Sequence, residues 1–130
     1  MGARKREMAE RMKEERKSSS FAKLNDCPSS PRKMRLVADI IRGKDAFAAL
    51  NILKFTRKHA ATPMEKLLRS AISNWQAKNA GADVAEANII VKDIKVDGGT
   101  MLKRISPAPQ GRAHRIRKRS NHVTIILDKK

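Results

Sequence analysis

The chain has 130 residues, and its 30 Lys and Arg outnumber 13 Asp and Glu to give a net charge of +17. This length suits one small domain with a modest core, and no apolar run is long enough to predict a membrane-spanning helix. The charge far exceeds what solubility requires and predicts a polyanionic partner.

The first twenty residues are predicted to form an N-terminal arm outside the folded domain of residues 21–130. Residues 3–17 are rich in charged helix formers, and Met8 and Met12 are too small an apolar face to bury or to bind a membrane surface. We expect a frayed helix or a disordered segment in the free protein. Two alternatives remain equal: the arm lies along RNA or contacts a neighbouring protein, or it is a solvated tail.

A short strand at residues 21–24 precedes the first predicted helix of the domain, from Pro31 to about Arg42. Ser30 can cap this helix, proline suits its first turn, and Gly43 suits its end. Its apolar residues recur at helical spacing: Met34, Val37, Ala38 and Ile41. Basic residues in the first turn oppose the positive end of the helix dipole, which favours a phosphate there.

Two further helices are predicted. Asp45 can cap the first of them, which runs to about Phe55 and is expected to bury Phe47, Leu50, and Leu53 or Phe55. Residues 62–65 have the pattern of a capping box and begin a helix that extends to about Asn79. The apolar stripe of this helix is expected in the core: Met64, Leu67, Leu68, Ala71, Ile72 and Trp75.

After residue 87 the apolar spacing changes to the two-residue period of strands. One strand is predicted from the shared parity of Ile90, Ile94 and Val96, and an antiparallel neighbour from that of Val123, Ile125 and Leu127. The predicted fold class is α+β: a small single domain of three helices on a short antiparallel sheet, with a long protruding β-hairpin at about residues 92–125 and the N-terminal arm.

The outer part of this hairpin is basic on both faces. Residues 98–119 contain no Asp or Glu, and on the returning arm Arg115, Arg117 and Arg119 alternate with Arg112, His114 and Lys118. A ribbon with two charged faces cannot pack on its own core, and each arm could reach about 40 Å. The turn at residues 106–111 has no charge, and its prolines are expected to end the ladder.

These segments resemble the L-twenty-two family of large-ribosomal-subunit proteins. The similarity rests on residues 30–43, 101–107 and 111–127, which follow in the family's order, and it covers about residues 21–128. It implies a non-enzymatic structural constituent of the large subunit in the cytoplasm, in a bacterial-type ribosome. Such a protein binds large-subunit ribosomal RNA (rRNA), supports assembly and lines the nascent-peptide exit tunnel with its hairpin.

The resemblance also implies roles for particular residues. The rRNA contacts would be made by basic residues of the helical region and of the hairpin: Arg32, Lys33, Arg35, Arg42, Lys44, Lys103, Arg104, Arg112, Arg115, Arg117, Lys118 and Arg119. The tunnel tip would be formed by Ser106, Pro107, Ala108, Pro109 and Gln110. Family members commonly carry basic residues where this chain has Ala108 and Gln110, and residues 1–20 lie outside the family pattern.

The expected partners are large-subunit rRNA, neighbouring large-subunit proteins and the nascent polypeptide, with no membrane and no homo-oligomer. No cofactor, metal or catalytic site is predicted, because Cys27, His59, His114 and His122 lack metal-ligand spacing and no His has a nucleophile nearby in sequence. The alternative is a free architectural DNA-binding protein that uses a β-ribbon arm with a proline at its tip.

Overall fold

The computed structural model describes residues 3–82 and 86–129. Within these ranges the order is α1 (Ala3–Ser18), β1 (Ser20–Cys27), α2 (Pro31–Ile41), α3 (Ala46–Phe55), α4 (Ala61–Lys78), β2 (Ile89–Ala108), a 3-10 turn (Pro109–Gly111) and β3 (Arg112–Lys129). The predicted α+β class is confirmed, and the N-terminal arm is the helix α1. None of the described helices is both long and apolar enough to cross a membrane.

The three strands form an antiparallel sheet in the order β1-β3-β2, so β3 is central and β2 lies at an edge. The predicted inward residues of β3 are all buried: Val123, Ile125 and Leu127. On β2 the predicted parity is wrong before Ile94, because Ile89 and Val91 are buried rather than Ile90. An extra residue, Lys92, forms a bulge opposite β3 and shifts the inward face by one position.

Helices α2, α3 and α4 cover one face of this sheet and form the core with it. The predicted buried residues of α2 and the predicted stripe of α4, Trp75 included, are all buried. On α3 the cap by Asp45 is confirmed, and Leu53, one of the two predicted alternatives, is buried; Phe47 is exposed and Leu50 is half-buried, although both were expected in the core. That part of the prediction is wrong because α3 turns its small residues Ala46 and Ala49, together with Leu53, towards the core.

Two predicted helix caps are also wrong. Ser30 precedes α2, but its side chain makes no cap hydrogen bond. Helix α4 begins at Ala61 rather than after Thr62, since the N–H of Ala61 donates to the carbonyl of Lys58 and starts the helical turn earlier. Glu65 therefore lies inside the helix and pairs with Arg69 at 2.8 Å.

The hairpin formed by β2 and β3 has two parts, which we call the root (residues 89–98 and 120–129) and the outer hairpin (residues 101–119). In the outer hairpin residues 101–108 pair with residues 112–119. The expectation that prolines end the ladder is wrong, because Pro107 pairs with Ala113. An edge strand such as β2 accommodates a residue that lacks an N–H. The turn itself needs only residues 109–111, where Gln110 and Gly111 have φ values of 62° and 69°.

Candidate nucleic-acid interface

A bulge marks the boundary between the root and the outer hairpin. Gly98 pairs with Asn121 and Met101 pairs with Arg119, so β2 has one residue more than β3 at this point. Gly99 packs so closely that an added Cβ would lie 2.5 Å from Ser120 Oγ and 3.2 Å from its carbonyl carbon. The Ser120 hydroxyl donates to the carbonyl of Thr100. The bulge therefore sets how the outer hairpin leaves the sheet.

A buried asparagine ties this boundary to the beginning of α2. Asn121 is fully buried, and its Nδ2 donates to the carbonyl oxygen of Ser29 at 2.7 Å and to Ser29 Oγ at 3.0 Å. Ser29 lies in the loop that leads into α2. The direction of the hairpin and the start of α2 are thus fixed relative to each other.

The other half of α2 is held against the free edge of β2. The guanidinium of Arg35 donates to the carbonyl of Val96 at 3.0 Å, and that of Arg42 donates to the carbonyl of Ile94 at 3.1 Å. The N–H of Gly43 donates to Val91, whose own N–H donates to Lys44. These bonds satisfy backbone groups that an exposed edge strand would leave open. Arg35 and Arg42, which we predicted as RNA contacts, therefore position α2 against the sheet.

Between the first turn of α2 and the base of the outer hairpin lies an open cleft of about 1470 Å³. Its basic lining residues come from α2, the α3–α4 loop and β3: Arg32, Lys33, Arg35, Lys58, Arg117, Lys118 and Arg119. Asp26 is the one carboxylate among its described lining residues. Small-molecule pockets usually measure about 300–1,000 Å³ and are mostly apolar. This cleft is larger and strongly cationic, which suits an extended polyanion.

The structure divides the predicted RNA contacts into three groups. Six of them line the cleft: Arg32, Lys33, Arg35, Arg117, Lys118 and Arg119. Four lie farther out on the hairpin: Lys103, Arg104, Arg112 and Arg115. Arg42 and Lys44 lie beyond the opposite end of α2. Sequence reasoning missed Lys58 and His59 of the cleft, although the basic run from Arg57 to His59 was a signal for them.

The outer hairpin carries basic residues on both faces, as predicted. Cross-strand partners lie on the same face, and one face holds the pairs Met101–Arg119, Lys103–Arg117 and Ile105–Arg115. The opposite face holds Leu102–Lys118, Arg104–Ile116 and Ala108–Arg112. Lys103 and Arg117 are like charges directly opposite each other, which destabilises a ladder unless an anion lies nearby.

The charge of the outer hairpin is not neutralised by any carboxylate in the part of the chain that the structure describes. Within the described ranges, none of the seven Lys and Arg residues of the outer hairpin forms an ion pair. Residues 101–105 and 112–119 are all exposed, including the aliphatic side chains that alternate with the basic ones. At the end of the ladder, Ser106, Pro107, Ala108, Pro109 and Gln110 form a neutral tip in which Ser106 and Ala108 are half-buried.

The sequence model of the family described as "Ribosomal protein L22p/L17e" matches residues 22–128. The chain belongs to this family. It is 65% identical over 127 residues to the "Large ribosomal subunit protein uL22" of Christiangramia forsetii, which covers 98% of this chain and 94% of that protein. The protein of the same name from Flavobacterium johnsoniae is also 65% identical over 127 residues, with 98% and 93% covered. That from Bacteroides fragilis is 58% identical over 130 residues, with 100% and 95% covered.

Family membership confirms the resemblance of residues 30–43, 101–107 and 111–127 to the L-twenty-two family. The chain is a ribosomal protein of structural type and not an enzyme. The family match begins at residue 22 and leaves α1 outside it. The similarity to the relatives, in contrast, extends over nearly the whole chain and therefore over α1.

Proposed function

We propose that the protein, as a structural constituent of the large ribosomal subunit, binds large-subunit rRNA and lines the nascent-peptide tunnel with the tip of its hairpin. One observation carries the proposal: the outer hairpin has seven basic residues on two exposed faces and contains no Asp or Glu of its own. Phosphates on both sides would neutralise these faces and relieve the repulsion between Lys103 and Arg117.

An RNA assembly suits this ribbon better than a DNA duplex does. A β-ribbon in a groove of DNA reads base edges with one face and leaves the other face towards solvent. Folded rRNA can surround the ribbon, so that both faces contact phosphate and the exposed aliphatic side chains contact sugars and bases. The paired arms extend about 26 Å beyond the root, which is far enough to pass between RNA segments.

The cleft gives the same RNA a second contact with the protein. An RNA strand in the cleft would contact Arg32 and Lys33 of α2 on one side and Arg117 and Arg119 of β3 on the other. Phosphate at the first turn of α2 also offsets the unfavourable position of these basic residues at the positive end of the helix dipole. Because Asn121 joins the two walls, RNA bound in the cleft fixes the direction in which the hairpin extends.

The neutral tip has a different partner. Residues 106–110 lack the charge that holds the arms to RNA, and the left-handed Gln110 and Gly111 turn the chain sharply at the end. A neutral surface does not retain a passing peptide of either charge. This property supports a position of the tip in the wall of the nascent-peptide tunnel.

The RNA proposal is tested with the full-length triple variant Arg115→Ala, Arg117→Ala, Arg119→Ala. Its matched control, Lys23→Ala, Lys54→Ala, Lys66→Ala, removes the same charge from exposed positions outside the cleft and the hairpin. Affinity for a transcript of the chain's own large-subunit rRNA is measured against salt. The hairpin variant should lose roughly 2 to 3 units of log-log salt slope, at about 0.7–0.9 per lost phosphate contact.

Two outcomes would contradict the proposal. Equal losses in the two variants would mean that only net charge matters and that the hairpin has no special role. Wild-type affinity for random-sequence duplex DNA as high as that for rRNA would support the architectural DNA-binding alternative.

The tunnel proposal is tested in assembled ribosomes. A photo-crosslinking amino acid at Gln110 should capture radiolabelled nascent chains that are long enough to fill the tunnel. The same probe at Leu102, on an arm of the outer hairpin, should capture RNA instead. Capture of RNA alone from Gln110 would remove the tip from the tunnel wall.

A further inference from the structure

The helix α1 meets the body of the protein near its C-terminal end, and residues 3–17 include no buried side chain. All of residues 3–17 are exposed, Met8 and Met12 among them, and the helix is about 24 Å long. Two ion pairs along the helix, Arg6–Glu10 and Arg11–Glu15, each stabilise it by about 0.2–0.5 kcal/mol. An isolated helix of this length is only marginally stable in water. A partner bound along the helix would add to this stability.

The charges of α1 are separated around its axis. At about 100° per residue, a sector of about 120° contains five basic residues, Ala9 and no acid. The basic residues of this sector, which we call the basic sector, are Lys5, Arg6, Lys13, Arg16 and Lys17. Glu7, Glu10 and Glu14 lie together on the adjacent face, where Glu10 pairs with Arg6 at its border with the basic sector, and the remaining face carries Arg4, Arg11 and Glu15. The small Ala9 lets a partner approach the middle of the basic sector closely.

Contacts near its C-terminal end orient α1 relative to the body of the protein. Lys78 of α4 donates from its Nζ to the carbonyl oxygens of Lys17 and Ser19, where α1 joins β1. Met12 and Arg16 line a groove whose other wall includes Trp75 and Leu127. Glu7, Glu10 and Glu14 consequently face away from the body. Most of the basic sector lies between the side of α1 that faces the body and the side that carries Glu7, Glu10 and Glu14. This part of the surface is open to a partner.

We infer that α1 is a third rRNA-contact element, whose basic sector lies along a phosphate backbone; this inference rests on the proposed function. Two methionines are too little apolar surface for a protein interface core, whereas the like charges of the basic sector complement a polyanion. The first turn of α1 has basic residues and no acid, so an anion there also offsets its unfavourable interaction with the helix dipole. The segment lies outside the family match yet within the regions similar to relatives.

The inference is tested with the full-length variant Lys5→Gln, Lys13→Gln, Lys17→Gln, in which glutamine preserves helix propensity. The salt slope of its binding to the large-subunit rRNA transcript should fall by about 2, and its circular dichroism should be unchanged. The matched control is the Lys23, Lys54 and Lys66 triple alanine variant, which loses the same charge elsewhere and should fall by less.

A second measurement reports the orientation of the helix in assembled large subunits. Ala9 and Glu7 are two residues apart in sequence but about 160° apart around the axis. A photo-crosslinking amino acid at Ala9 should capture rRNA, and the same probe at Glu7 should capture at least ten-fold less. Capture of a ribosomal protein from Ala9 would overturn the inference in favour of a protein contact.

The binding results distinguish a failure of the α1 inference from a failure of the proposed rRNA-binding function. Wild-type binding by the α1 variant together with weakened binding by the Arg115, Arg117, Arg119 variant would overturn the inference alone. Wild-type binding by both variants would overturn the proposed function as well. Weakened binding by both, with RNA captured from Ala9, supports the two together.

Discussion

The root and the outer hairpin are formed by the same two strands, but different forces stabilise them. In the root, β2 and β3 bury aliphatic side chains under the helices, and β1 pairs with β3 on its other side. In the outer hairpin the ladder continues with no helix and no third strand, and its basic residues repel one another. The root folds by burial, whereas the outer hairpin has no comparable burial and, under the proposed function, is stabilised by RNA.

This contrast shows that strand pairing alone does not make a segment stable. A two-stranded hairpin is at best marginally stable in water, because it lacks a buried face to offset the loss of conformational entropy. A hydrophobic face would stabilise the outer hairpin but would leave no charge for RNA. The sequence instead alternates basic and aliphatic residues there, and the proposed function therefore couples order in this region to RNA binding.

The largest expected effect compares two isoleucines on β2. Ile94 is 3% exposed in the root, and Ile105 is 73% exposed in the outer hairpin. Ile94→Ala should lower the free energy of unfolding by about 2–5 kcal/mol, and Ile105→Ala by less than about 0.5 kcal/mol. Urea denaturation of both variants checks this, and equal losses would show that the outer hairpin packs on the body in the free protein.

The boundary between the two regions offers a pair of adjacent glycines. A Cβ at Gly99 would clash with Ser120, whereas a Cβ at Gly98 would meet nothing within 4 Å. Gly99→Ala should destabilise the protein by about 1–3 kcal/mol because Ser120 or the backbone must shift. Gly98→Ala should be within about 1 kcal/mol of the wild type. Thermal unfolding measures both, and tolerance of Gly99→Ala would show that the bulge is plastic.

The sequence predicted what depends on local periodicity and missed what depends on a partner strand. The stripes of α2, α4 and β3 followed from spacing alone. The bulge at Lys92 did not follow from spacing, because the extra residue is defined only by the register of β2 against β3. This bulge places Ile90 outside the core. For the same reason, the two exposed phenylalanines of α3 could not be foreseen without the surface on which the helix packs.

One part of the candidate RNA-binding site could likewise be predicted from the sequence, and another part could not. The both-faced charge of the outer hairpin could be derived from alternation within one strand. The cleft could not, because it requires the contact between Asn121 and Ser29, which lie far apart in the chain. The hydrogen bonds of Arg35 and Arg42 to carbonyls of β2 could not be predicted either. Basic residues on an exposed helix are equally typical of an RNA-binding surface, so the sequence does not distinguish the two roles.

The contribution of Arg42 to the stability of the sheet edge can be distinguished from the effect of its charge. Arg42→Ala removes the hydrogen bond to Ile94 and the ion pair with Asp39, so it should lower the free energy of unfolding by about 1 kcal/mol. Lys44→Ala removes the same charge from an exposed side chain and should change it by less than about 0.5 kcal/mol. Urea denaturation in the absence of RNA compares them, and equal effects would mean that Arg42 does not stabilise the sheet edge.

The smallest expected effect concerns an ion pair in the root. The ammonium of Lys92 donates a hydrogen bond to Asp128, which lowers the pKa of Asp128 below its ordinary value of 3.8 and raises the pKa of Lys92 above 10.5. The contribution of the carboxylate is present above pH 3.8 and is lost as the pH falls through its lower folded pKa. The contribution of the ammonium is present below pH 10.5 and is lost as the pH rises through its higher folded pKa.

The variant Asp128→Asn removes this pair without removing a root residue from the sheet. The wild type should exceed it in free energy of unfolding by a constant, small amount between about pH 5 and pH 9, because both side chains are largely exposed. The difference should shrink at both extremes. Denaturation at several pH values measures it, and a difference that grows below pH 4 would contradict the assignment. Because burial rather than charge stabilises the root, even complete loss of the pair should leave the sheet folded.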